Sequence, residues 1–426
     1  MKLPRTAILL LRGVEGCGVS TYARHFKAYY DENNRGNCDI FALNLSVGRP
    51  DTSTDLPITK FSFDEADELV RKINDNYDLS LVFSVPAKNA KEEIVNNYVE
   101  RILEKIKSPK WLINHDHHYL SIGRNADFEN AIKACDGVLC HSLAETKCGF
   151  IRWMKKRGIE TKVEKLDTFF HIPLVGDLVT FDKTNRLKRL INASRAVAWK
   201  RSSLVLNLHK ELAKKNFVTE MIGFERSIAG YSQLKNYEGK LDWYVTDEFE
   251  KPVKAPSAFS NAQVNERFFD FVDDEGQDPS KMYVFGSYDH KRGLRRICQS
   301  AFATHPRSFE HNGLDYGNNH EYQGLEAALL SVPIFHRHFL ETVTLPDTDV
   351  PLSAIGSFIS MDDDNNHLKN GGPNVLNPSD LVEKLDEIWN SRYTQYRQES
   401  FSIINTYYAS WVLIPKMLDR LGLLTL

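Results

Sequence analysis

Short apolar runs alternate with amphipathic stretches along the first half of the chain. An apolar run of about four to eight residues is typical of a buried strand, and apolar residues at helical spacing indicate a helix. The predicted strands are Thr6–Leu11, Asp39–Leu45, Leu79–Val85, Trp111–Asn114 and Gly137–Cys140. The predicted helices are Thr21–Asp31, Phe63–Asn74, Glu92–Ile106 and Glu129–Cys135. Because this alternation is typical of a parallel sheet covered on both faces, the first half is predicted to be Rossmann-like.

The pattern is interrupted between Phe169 and Asn185, where Pro173 and Gly176 lie near a polar stretch. A second alternation follows. Its predicted strands are Leu190–Ala198, Phe217–Phe224, Leu241–Val245, Met282–Gly286 and Val332–Phe335. Its predicted helices are Ser202–Lys215, Lys291–Ala303, Glu321–Leu330, Pro378–Asn390 and Tyr407–Leu421. We expect Pro415 to kink the last helix, because proline cannot donate the hydrogen bond that a helix interior needs.

We therefore expect an α/β protein with two Rossmann-like domains that face each other across a cleft. The N-terminal domain is placed at residues 1–180 and the second domain at residues 181–405. A C-terminal helix at residues 406–426 is expected to pack back on the first domain. In such folds phosphorylated ligands bind at the carboxyl ends of the parallel strands, where helix N-termini point.

Composition narrows the class of protein without indicating a ligand. The chain has 426 residues, of which 42% are hydrophobic and 26% are charged, enough for two globular cores. Its net charge is −3, so a surface that binds nucleic acid has to be a local patch. The cysteines lack the C-x-x-C spacing of zinc sites, and no stretch is apolar for long enough to cross a bilayer. We expect reduced thiols and a cytoplasmic protein.

A glycine-rich turn, Arg12–Ser20, separates the first predicted strand from the first predicted helix. Gly13, Gly16 and Gly18 let backbone amides approach an anion, and the helix N-terminus adds a positive partial charge. The segment has the frame of a P-loop, but Val19 occupies the position of the lysine that such a loop needs, which argues against an ATPase. The glycine spacing also differs from a dinucleotide fingerprint. Two interpretations stay open: a loop that faces a phosphate, and a tight turn with close helix packing.

Two pairs of charged residues lie in the second half. Arg195 and Lys200 follow a predicted strand, where two cations can hold a diphosphate and stabilise it as it departs. Glu321 and Glu326 open a predicted helix, where a carboxylate that faces a cleft can accept both ribose hydroxyls of a nucleotide. Taken singly, each pair also fits a solvated surface or a partner of the helix dipole. Together the pairs resemble the retaining glycosyltransferases of the GT-B fold, which bind nucleoside-diphosphate sugars in this way.

Several short motifs make the resemblance more specific. They are Arg12–Ser20, Ser84–Ala87, Asn96–Tyr98, His115–His117, Leu120–Ser121, Arg124–Asn125, His141–Ser142 and Gly223–Ser227. In this order they resemble the DNA α-glucosyltransferases of T-even bacteriophages, over most of the chain. The chain departs from that family at Gly123, which stands in place of a basic residue. It also departs between Glu326 and Pro333, where it is one residue shorter and lacks a glycine before the proline.

The resemblance implies an enzyme that transfers a sugar, glucose by default, from a UDP-sugar to 5-hydroxymethylcytosine in DNA with retention at the anomeric carbon. It places His115 beside a sugar hydroxyl and Asp116 beside the incoming hydroxyl, and both are candidate catalytic residues together with Arg195 and Lys200. The candidate donor-binding residues are Gly16, Cys17, Gly18, Val19, Arg195, Lys200, Glu321, Gly324, Leu325 and Glu326. The candidate DNA-binding residues are Arg124, Lys155, Lys156 and Arg157.

The expected partners are double-stranded DNA that contains modified cytosine and a UDP-sugar as co-substrate. We expect no tightly bound cofactor, no required divalent metal and no membrane. The target base is expected to flip out of the duplex, because its hydroxyl is awkward to reach in the major groove. We expect a monomer that acts in the host cytoplasm during phage infection.

Several alternatives accompany this interpretation. The run His115–His118 also fits a metal cluster or a polar loop, and Asp362–Asp364, although it resembles a D-x-D metal clamp, is interpreted as a surface turn. Basic runs at Arg152–Arg157, Arg186–Arg189 and Lys291–Arg296 are candidate DNA contacts, although such runs are more often solvated helix faces. The sugar can instead be a pentose such as arabinose, the base another hydroxylated cytosine, and the acceptor a molecule other than DNA. A non-catalytic protein that binds nucleotide or DNA is a further alternative.

Overall fold

The structure is a computed structural model, and the chain divides into two compact units. The first unit comprises Met1–Leu174 and Thr406–Leu426, and the second comprises Val175–Asn405. The residues that the structure describes are 3–12, 18–33, 36–44, 57–86, 90–114, 127–141, 144–193, 202–222, 243–245, 262–263, 278–280, 282–284, 290–305, 310–311, 314–315, 322–336, 344–367 and 373–424.

The first unit is built on a parallel sheet with helices between its strands. The strands are β1 (Thr6–Leu10), β2 (Cys38–Leu43), β3 (Ile58–Phe61), β4 (Leu79–Ser84), β5 (Lys110–Asn114), β6 (Gly137–His141) and β7 (Lys162–Leu166). The helices are α1 (Gly18–Asn33), α2 (Ala66–Asn76), α3 (Glu92–Tyr98), α4 (Asp127–Lys133) and α5 (Ala144–Lys155). The strand order β3-β2-β1-β4-β5-β6-β7 is that of a Rossmann sheet with one added edge strand.

Burial in the first unit follows the apolar pattern of the sequence. All five residues of β1, TAILL, are buried, as expected for a central strand that helices cover on both faces. On β6, Gly137 lies against the indole ring of Trp111 on β5, and a Cβ at Gly137 would lie 2.1 Å from that ring. The missing side chain therefore leaves the space that the tryptophan fills.

The second unit repeats this architecture. Its parallel strands are β8 (Leu187–Ala193), β9 (Val218–Ile222), β10 (Trp243–Val245), β11 (Ala262–Gln263), β12 (Met282–Val284), β13 (Ser300–His305), β16 (Ile334–His336) and β17 (Phe358–Ser360). Antiparallel pairs are formed by β14 (Glu310–His311) with β15 (Leu314–Asp315), and by β18 (Asp362–His367) with β19 (Pro373–Val375). The helices are α6 (Ser202–Lys214), α7 (His290–Cys298), α8 (Tyr322–Leu329), α9 (Pro378–Ser391) and α10 (Tyr393–Tyr407). The order of the large sheet is β11-β10-β12-β9-β8-β13-β16-β17.

The end of the chain belongs to the first unit. Helix α11 (Ser410–Arg420) packs against α1, and Pro415 lies inside it. Just before α11, Phe170 donates its N–H to Tyr408 O at 2.7 Å, and Ser410 donates its N–H to Phe170 O at 2.7 Å.

Two predicted helices differ from the structure. The helix predicted to reach Ala303 ends at Cys298, and Ser300–His305 form the central strand β13. A short apolar run fits a buried strand as well as a buried helix. In the structure this run pairs with β8 and β16 as a strand of the large sheet. The single helix predicted from Tyr407 onward is the last residue of α10 followed by the separate helix α11.

Each large sheet has a point at which the strand order reverses. It lies between β1 and β4 in the first unit and between β8 and β13 in the second. At such a point the loops leave adjacent strands in opposite directions, which opens a crevice at the carboxyl edge where open α/β sheets bind ligands. The predicted α/β class with two Rossmann-like parallel sheets is confirmed. Among the helices that the structure describes, none is long and apolar enough to span a membrane.

Candidate functional site

The switch point of the first sheet lies where the glycine-rich turn begins. Strands β1 and β4 stay joined to their ends, because Leu11 donates its N–H to Ser84 O at 3.2 Å and Arg12 donates its N–H to Ser84 Oγ at 3.3 Å. The chain therefore enters the turn from the carboxyl edge of the sheet, where a crevice is expected.

Helix α1 follows this turn. It begins at Gly18, and Val19 in its first turn is half-buried. Gly16 and Cys17, the other two donor contacts predicted here, lie outside the described residues. A strand end and a helix start thus flank the turn, which is the arrangement that a phosphate-facing loop requires.

The predicted acceptor residues follow β5. His115 and Asp116 come directly after Asn114, the last residue of this strand, and they lie outside the described residues, as does Arg124. Asn114 is buried and donates from Nδ2 to Cys140 Sγ on β6 at 3.6 Å. Strands β1 and β5 are two positions apart in the sheet, so the chain leaves them about 10 Å apart at the same edge.

The diphosphate residues predicted in the second unit follow a strand of its switch point. Arg195 and Lys200 come shortly after Ala193, the last residue of β8, and lie outside the described residues. At this end of the sheet, Asn192 is buried and donates from Nδ2 to Thr304 O on β13 at 3.4 Å. Because β8 and β13 are adjacent and parallel, the loops that follow them begin at the same edge of the sheet, on either side of the crevice expected there.

Helix α8 carries the nucleotide contacts predicted after β13. Gly324 is half-buried, while Leu325 and Glu326 are 4% and 8% exposed. Glu321 directly precedes the first residue of α8 and lies outside the described residues. The burial of Glu326 strengthens any hydrogen bond that its carboxylate makes to a ligand, because water competes less for the same oxygens.

The C-terminal end of α8 is closed by a Schellman motif. Ser331 has a left-handed φ of 57°, its N–H donates to Ala328 O at 2.9 Å, and the Val332 N–H donates to Ala327 O at 2.8 Å. A residue with a side chain is strained in this conformation by about 1–2 kcal/mol. A serine takes this strained position, two residues before Pro333.

Two buried arginines hold the carbonyls that this motif leaves without a partner in the helix. Arg186 donates from Nη2 to Leu330 O at 3.0 Å and to Ser331 Oγ at 3.1 Å. Arg397 donates from Nε to Ser331 O at 3.2 Å and from Nη2 to Ser331 Oγ at 3.3 Å. Burial lowers the pKa of Arg186, and burial followed by repulsion from Arg186 lowers the pKa of Arg397 to about 10. The sequence alone did not predict this role for either arginine.

A second group of arginines surrounds Glu220 on β9. Arg189 donates from Nη1 to Glu220 Oε2 at 3.1 Å, and Arg296 donates to both oxygens of the same carboxylate. All three side chains are at most 2% exposed. The carboxylate and the two guanidinium groups therefore form a buried ion cluster inside the second unit.

The two buried groups correct two of the candidate DNA patches. Arg186, Arg189 and Arg296 were expected on solvated faces, but they are 6%, 0% and 2% exposed. A side chain this deeply buried cannot reach a DNA phosphate without leaving its partners.

The basic run at the end of α5 is exposed and lies away from the carboxyl edge of the first sheet. Helix α5 starts just after the carboxyl end of β6 and returns along the sheet, so Lys155 and Lys156 lie roughly 18 Å down its axis, near the amino edge. Arg157 donates from Nε to Glu129 Oε1 at 2.6 Å and stacks on Trp153, with its guanidinium carbon 4.4 Å from the ring centroid. The structure therefore does not bring these three residues to the edge that precedes His115.

The acidic run near the end of the second sheet is also corrected. Asp362–Asp364 begin strand β18 and do not form a surface turn, and Asp362 is 4% exposed. Among the described residues, no group of three or more His, Cys, Asp or Glu side chains is arranged to hold a metal ion.

The chain is similar to known proteins over most of its length. The profile of a family described as DNA alpha-glucosyltransferase matches residues 17–368. The DNA alpha-glucosyltransferase of Enterobacteria phage T4 is 24% identical over 382 residues, which is 85% of this chain and 88% of the phage protein.

Solved structures agree over almost the whole chain. An alpha-glucosyltransferase in complex with UDP and a 13-mer DNA containing a HMU base matches with a TM-score of 0.81 at 19% identity, covering 99% of this chain and 100% of that chain. An alpha-glucosyltransferase in complex with UDP-glucose and DNA containing an abasic site matches with a TM-score of 0.78 at 18% identity, covering 98% and 99%. Anabaena HepE in complex with UDP matches with a TM-score of 0.54 at 12% identity, covering 99% and 100%. The two parallel-sheet units thus have the GT-B fold.

Proposed function

The chain belongs to the DNA alpha-glucosyltransferase family, and from this premise we propose that it transfers glucose from UDP-glucose to the hydroxyl group of 5-hydroxymethylcytosine in DNA, with retention at the anomeric carbon. The observation that carries the proposal is the family match over residues 17–368. Relatives with the same fold that were solved with UDP, UDP-glucose and DNA support both substrates.

The second unit supplies the donor site in this proposal. Arg195 and Lys200, which follow β8, neutralise the diphosphate as it departs. Glu326 on α8 accepts hydrogen bonds from the ribose hydroxyls, and Glu321 accepts them from the sugar. Gly324 and Leu325 let the start of α8 approach the nucleotide. The adjacent strands β8 and β13 support this assignment, because they bring the two loops to one edge of the sheet.

The proposal assigns further donor contacts and the acceptor contacts to residues of the first unit. The turn with Gly16, Cys17, Gly18 and Val19 faces the phosphates from the carboxyl end of β1. After β5, His115 binds a hydroxyl of the transferred sugar, and Asp116 orients the incoming hydroxyl.

The proposed reaction occurs on one face of the sugar. The bond between the anomeric carbon and the diphosphate oxygen breaks while the acceptor oxygen bonds to the same carbon from the same side. The acceptor proton passes to the departing phosphate oxygen, so no separate base is needed. The electrostatic donors around the diphosphate therefore carry most of the rate enhancement.

Duplex DNA that contains the modified cytosine is the proposed partner, with the base flipped out of the stack. Arg124 is a proposed phosphate contact near the acceptor residues. Lys155, Lys156 and Arg157 remain proposed DNA contacts; the two exposed lysines are stronger candidates than Arg157, which Glu129 and Trp153 hold. We further propose a monomer that acts in the host cytoplasm during infection, with UDP-glucose as co-substrate and without a tightly bound cofactor or a required metal.

The proposal is tested by incubating the protein with hydroxymethylated duplex DNA and a panel of UDP-sugars, followed by nucleoside mass analysis. We expect hydroxymethylcytosine to gain one hexose with UDP-glucose, in the presence of a chelator as well, while unmodified DNA stays unchanged. A gain with UDP-arabinose alone would correct the sugar, and a gain on another hydroxylated cytosine would correct the base. UDP release without any DNA product would point to another acceptor. UDP binding without any turnover would point to a non-catalytic protein.

A further inference from the structure

The C-terminal end of α8 is held by three side chains that we name the carbonyl clamp: Arg186, Ser331 and Arg397. We propose that the carbonyl clamp positions Glu326 for donor binding, so that its members act as positioning residues for UDP-glucose. This inference rests on the proposed function, in which Glu326 binds the ribose.

A short chain of hydrogen bonds links Glu326 to the clamp. The Glu326 carbonyl accepts from the Leu330 N–H at 3.0 Å, and the Leu330 carbonyl accepts from Arg186 Nη2 at 3.0 Å. Helix α8 has only 8 residues, a length at which an isolated helix is unstable in water. Its orientation therefore depends on tertiary contacts, which include its packing on β13 and β16 and the hydrogen bonds at its C-terminal end. A shift at Leu330 would move Glu326, one turn away.

Ser331 joins the members of the clamp. Its hydroxyl donates to Thr180 O at 2.7 Å and accepts from Arg186 at 3.1 Å and from Arg397 at 3.3 Å. Glycine would adopt the φ of 57° without strain, but it would remove this hydroxyl. The hydrogen bonds of this hydroxyl thus explain why a residue in a strained conformation closes the C-terminal end of α8.

The two arginines of the clamp are arranged for positioning. In the described part of the chain, their hydrogen bonds go to carbonyl and hydroxyl oxygens and not to a carboxylate; Arg397 also donates to Asp182 O at 2.6 Å. A buried cation without a carboxylate is costly, and apolar side chains often stabilise such a place as well or better. Cations at a helix C-terminus do hold its carbonyls in fixed directions. The arrangement is therefore explained better by orientation of α8 than by stability alone.

The clamp also links β8 and α8, the two elements of the second unit that are proposed to carry or lead to the donor-binding residues. Arg186 directly precedes β8, the strand that leads to Arg195 and Lys200. Its guanidinium group holds the end of α8, which carries Glu326. The residues proposed for the diphosphate and for the ribose thus depend on one shared support.

The test compares three clamp variants with a control. Ser331→Gly relieves the strained backbone and removes the hydroxyl, Arg397→Met removes the charge, and Arg397→Lys keeps the charge with fewer donors. The control is Lys183→Met, because Lys183 lies on the same segment as Arg186 and donates to the backbone, at Trp389 O (2.6 Å), away from α8. For each full-length variant we would measure UDP affinity by calorimetry, KM for UDP-glucose, kcat, and the thermal unfolding midpoint.

We expect Ser331→Gly to bind UDP about tenfold more weakly while its unfolding midpoint stays equal or rises, since a charge-assisted hydrogen bond is lost and strain is relieved. Arg397→Met should raise KM for UDP-glucose about tenfold with kcat nearly unchanged, and Arg397→Lys should recover part of this loss. The control should bind UDP like the wild type.

Wild-type UDP affinity in Ser331→Gly would overturn the inference, and so would equal weakening in the Lys183→Met control. If Arg397→Met does not fold, the UDP affinity of Ser331→Gly still tests the inference. A wild-type protein that binds UDP but leaves DNA unmodified would contradict the proposed function alone, because the clamp is then tested by UDP affinity. A wild-type protein that binds no UDP would contradict both.

Discussion

The two units bury polar side chains in different ways. In the first unit, His25 Nδ1 accepts the His171 N–H at 2.9 Å, and His171 Nδ1 lies 3.0 Å from Ser410 Oγ; all three side chains are at most 2% exposed. The second unit also buries histidines, such as His209 and His336, but among the described residues the buried arginines lie in this unit, and two of them, Arg189 and Arg397, are 0% exposed. A neutral imidazole costs little to bury and titrates near neutral pH, whereas a guanidinium keeps its proton and needs fixed acceptors.

The second unit itself contains two solutions to the burial of arginine. Around Glu220, the charges of Arg189 and Arg296 are compensated by a carboxylate. At the end of α8, Arg186 and Arg397 have carbonyl and hydroxyl acceptors, and the pKa of each is lowered by burial. Once formed, the cluster around Glu220 stabilises the second unit. The two arginines at the end of α8 are costly to bury, and the orientation of α8 that they provide explains why they are there.

The largest expected effect comes from removing the carboxylate of the buried ion cluster. Glu220→Gln removes the charged carboxylate that Arg189 and Arg296 share in the core, and we expect the free energy of unfolding of the second unit to fall by about 3–5 kcal/mol. Urea unfolding followed by circular dichroism, with hydrogen exchange to assign the loss to β8 and β9, measures it. The matched control is Glu383→Gln, whose carboxylate lies 2.7 Å from Lys215 Nζ and is 64% exposed. Equal stability of the two variants would show that the cluster is not compensated as described.

A cation that is proposed to act in catalysis should affect activity and not stability when it is replaced. Arg195→Ala removes a donor to the departing diphosphate, so kcat should fall by about two to three orders of magnitude while the free energy of unfolding stays the same. Steady-state glucosylation of hydroxymethylated DNA and urea unfolding together measure both quantities. A variant that loses stability but keeps its kcat would place Arg195 with the structural arginines.

A steric change between two strands should destabilise the first unit. Gly137→Ala introduces a Cβ 2.1 Å from the Trp111 ring, and overpacking of this kind costs about 1–3 kcal/mol. Urea unfolding followed by tryptophan fluorescence measures the loss. Gly176→Ala, at the start of the second unit, is the control, because nothing lies within 4 Å of its new Cβ. An unchanged midpoint for Gly137→Ala would mean that the two strands separate at little cost.

The smallest expected effect is a pH dependence confined to the first unit. Burial lowers the pKa of His171, although Glu32 and Asp31 act against this. The unfolded chain therefore binds the proton more readily than the folded one, so the stability due to neutral His171 is complete above its ordinary pKa and decreases as the pH falls through the range below it. Hydrogen exchange of α11 amides at pH 7 and pH 5, in wild type and His171→Gln, tests this. An equal response of both proteins would exclude His171 as the cause.

The central strands of the fold were predictable because they are buried on both faces. Parallel strands such as β1 and β4 appear in the sequence as continuous apolar runs, and these predictions are confirmed. The edge strands β3 (ITKF) and β7 (KVEKL) were missed, because a strand at the edge of a sheet carries exposed polar residues and lacks that signal.

The candidate site was predictable in part. The resemblance located residues next to the carboxyl ends of β5 and β8 and on α8, and the sheet order explains why those places lie at ligand-binding edges. The individual roles of His115, Asp116, Arg195 and Lys200 stay predictions, since these residues lie outside the described part of the chain.

The sequence by itself determined the alternation of strands and helices, because that alternation follows from local periodicity. It also determined the family, because the family is indicated by the order of short motifs. Only the tertiary structure decided which arginines are buried. Arg186, Ser331 and Arg397 are far apart in the chain and meet only in the folded second unit. A basic run has the same local pattern on a solvated helix as in a core, and its burial depends on acceptors that distant segments supply.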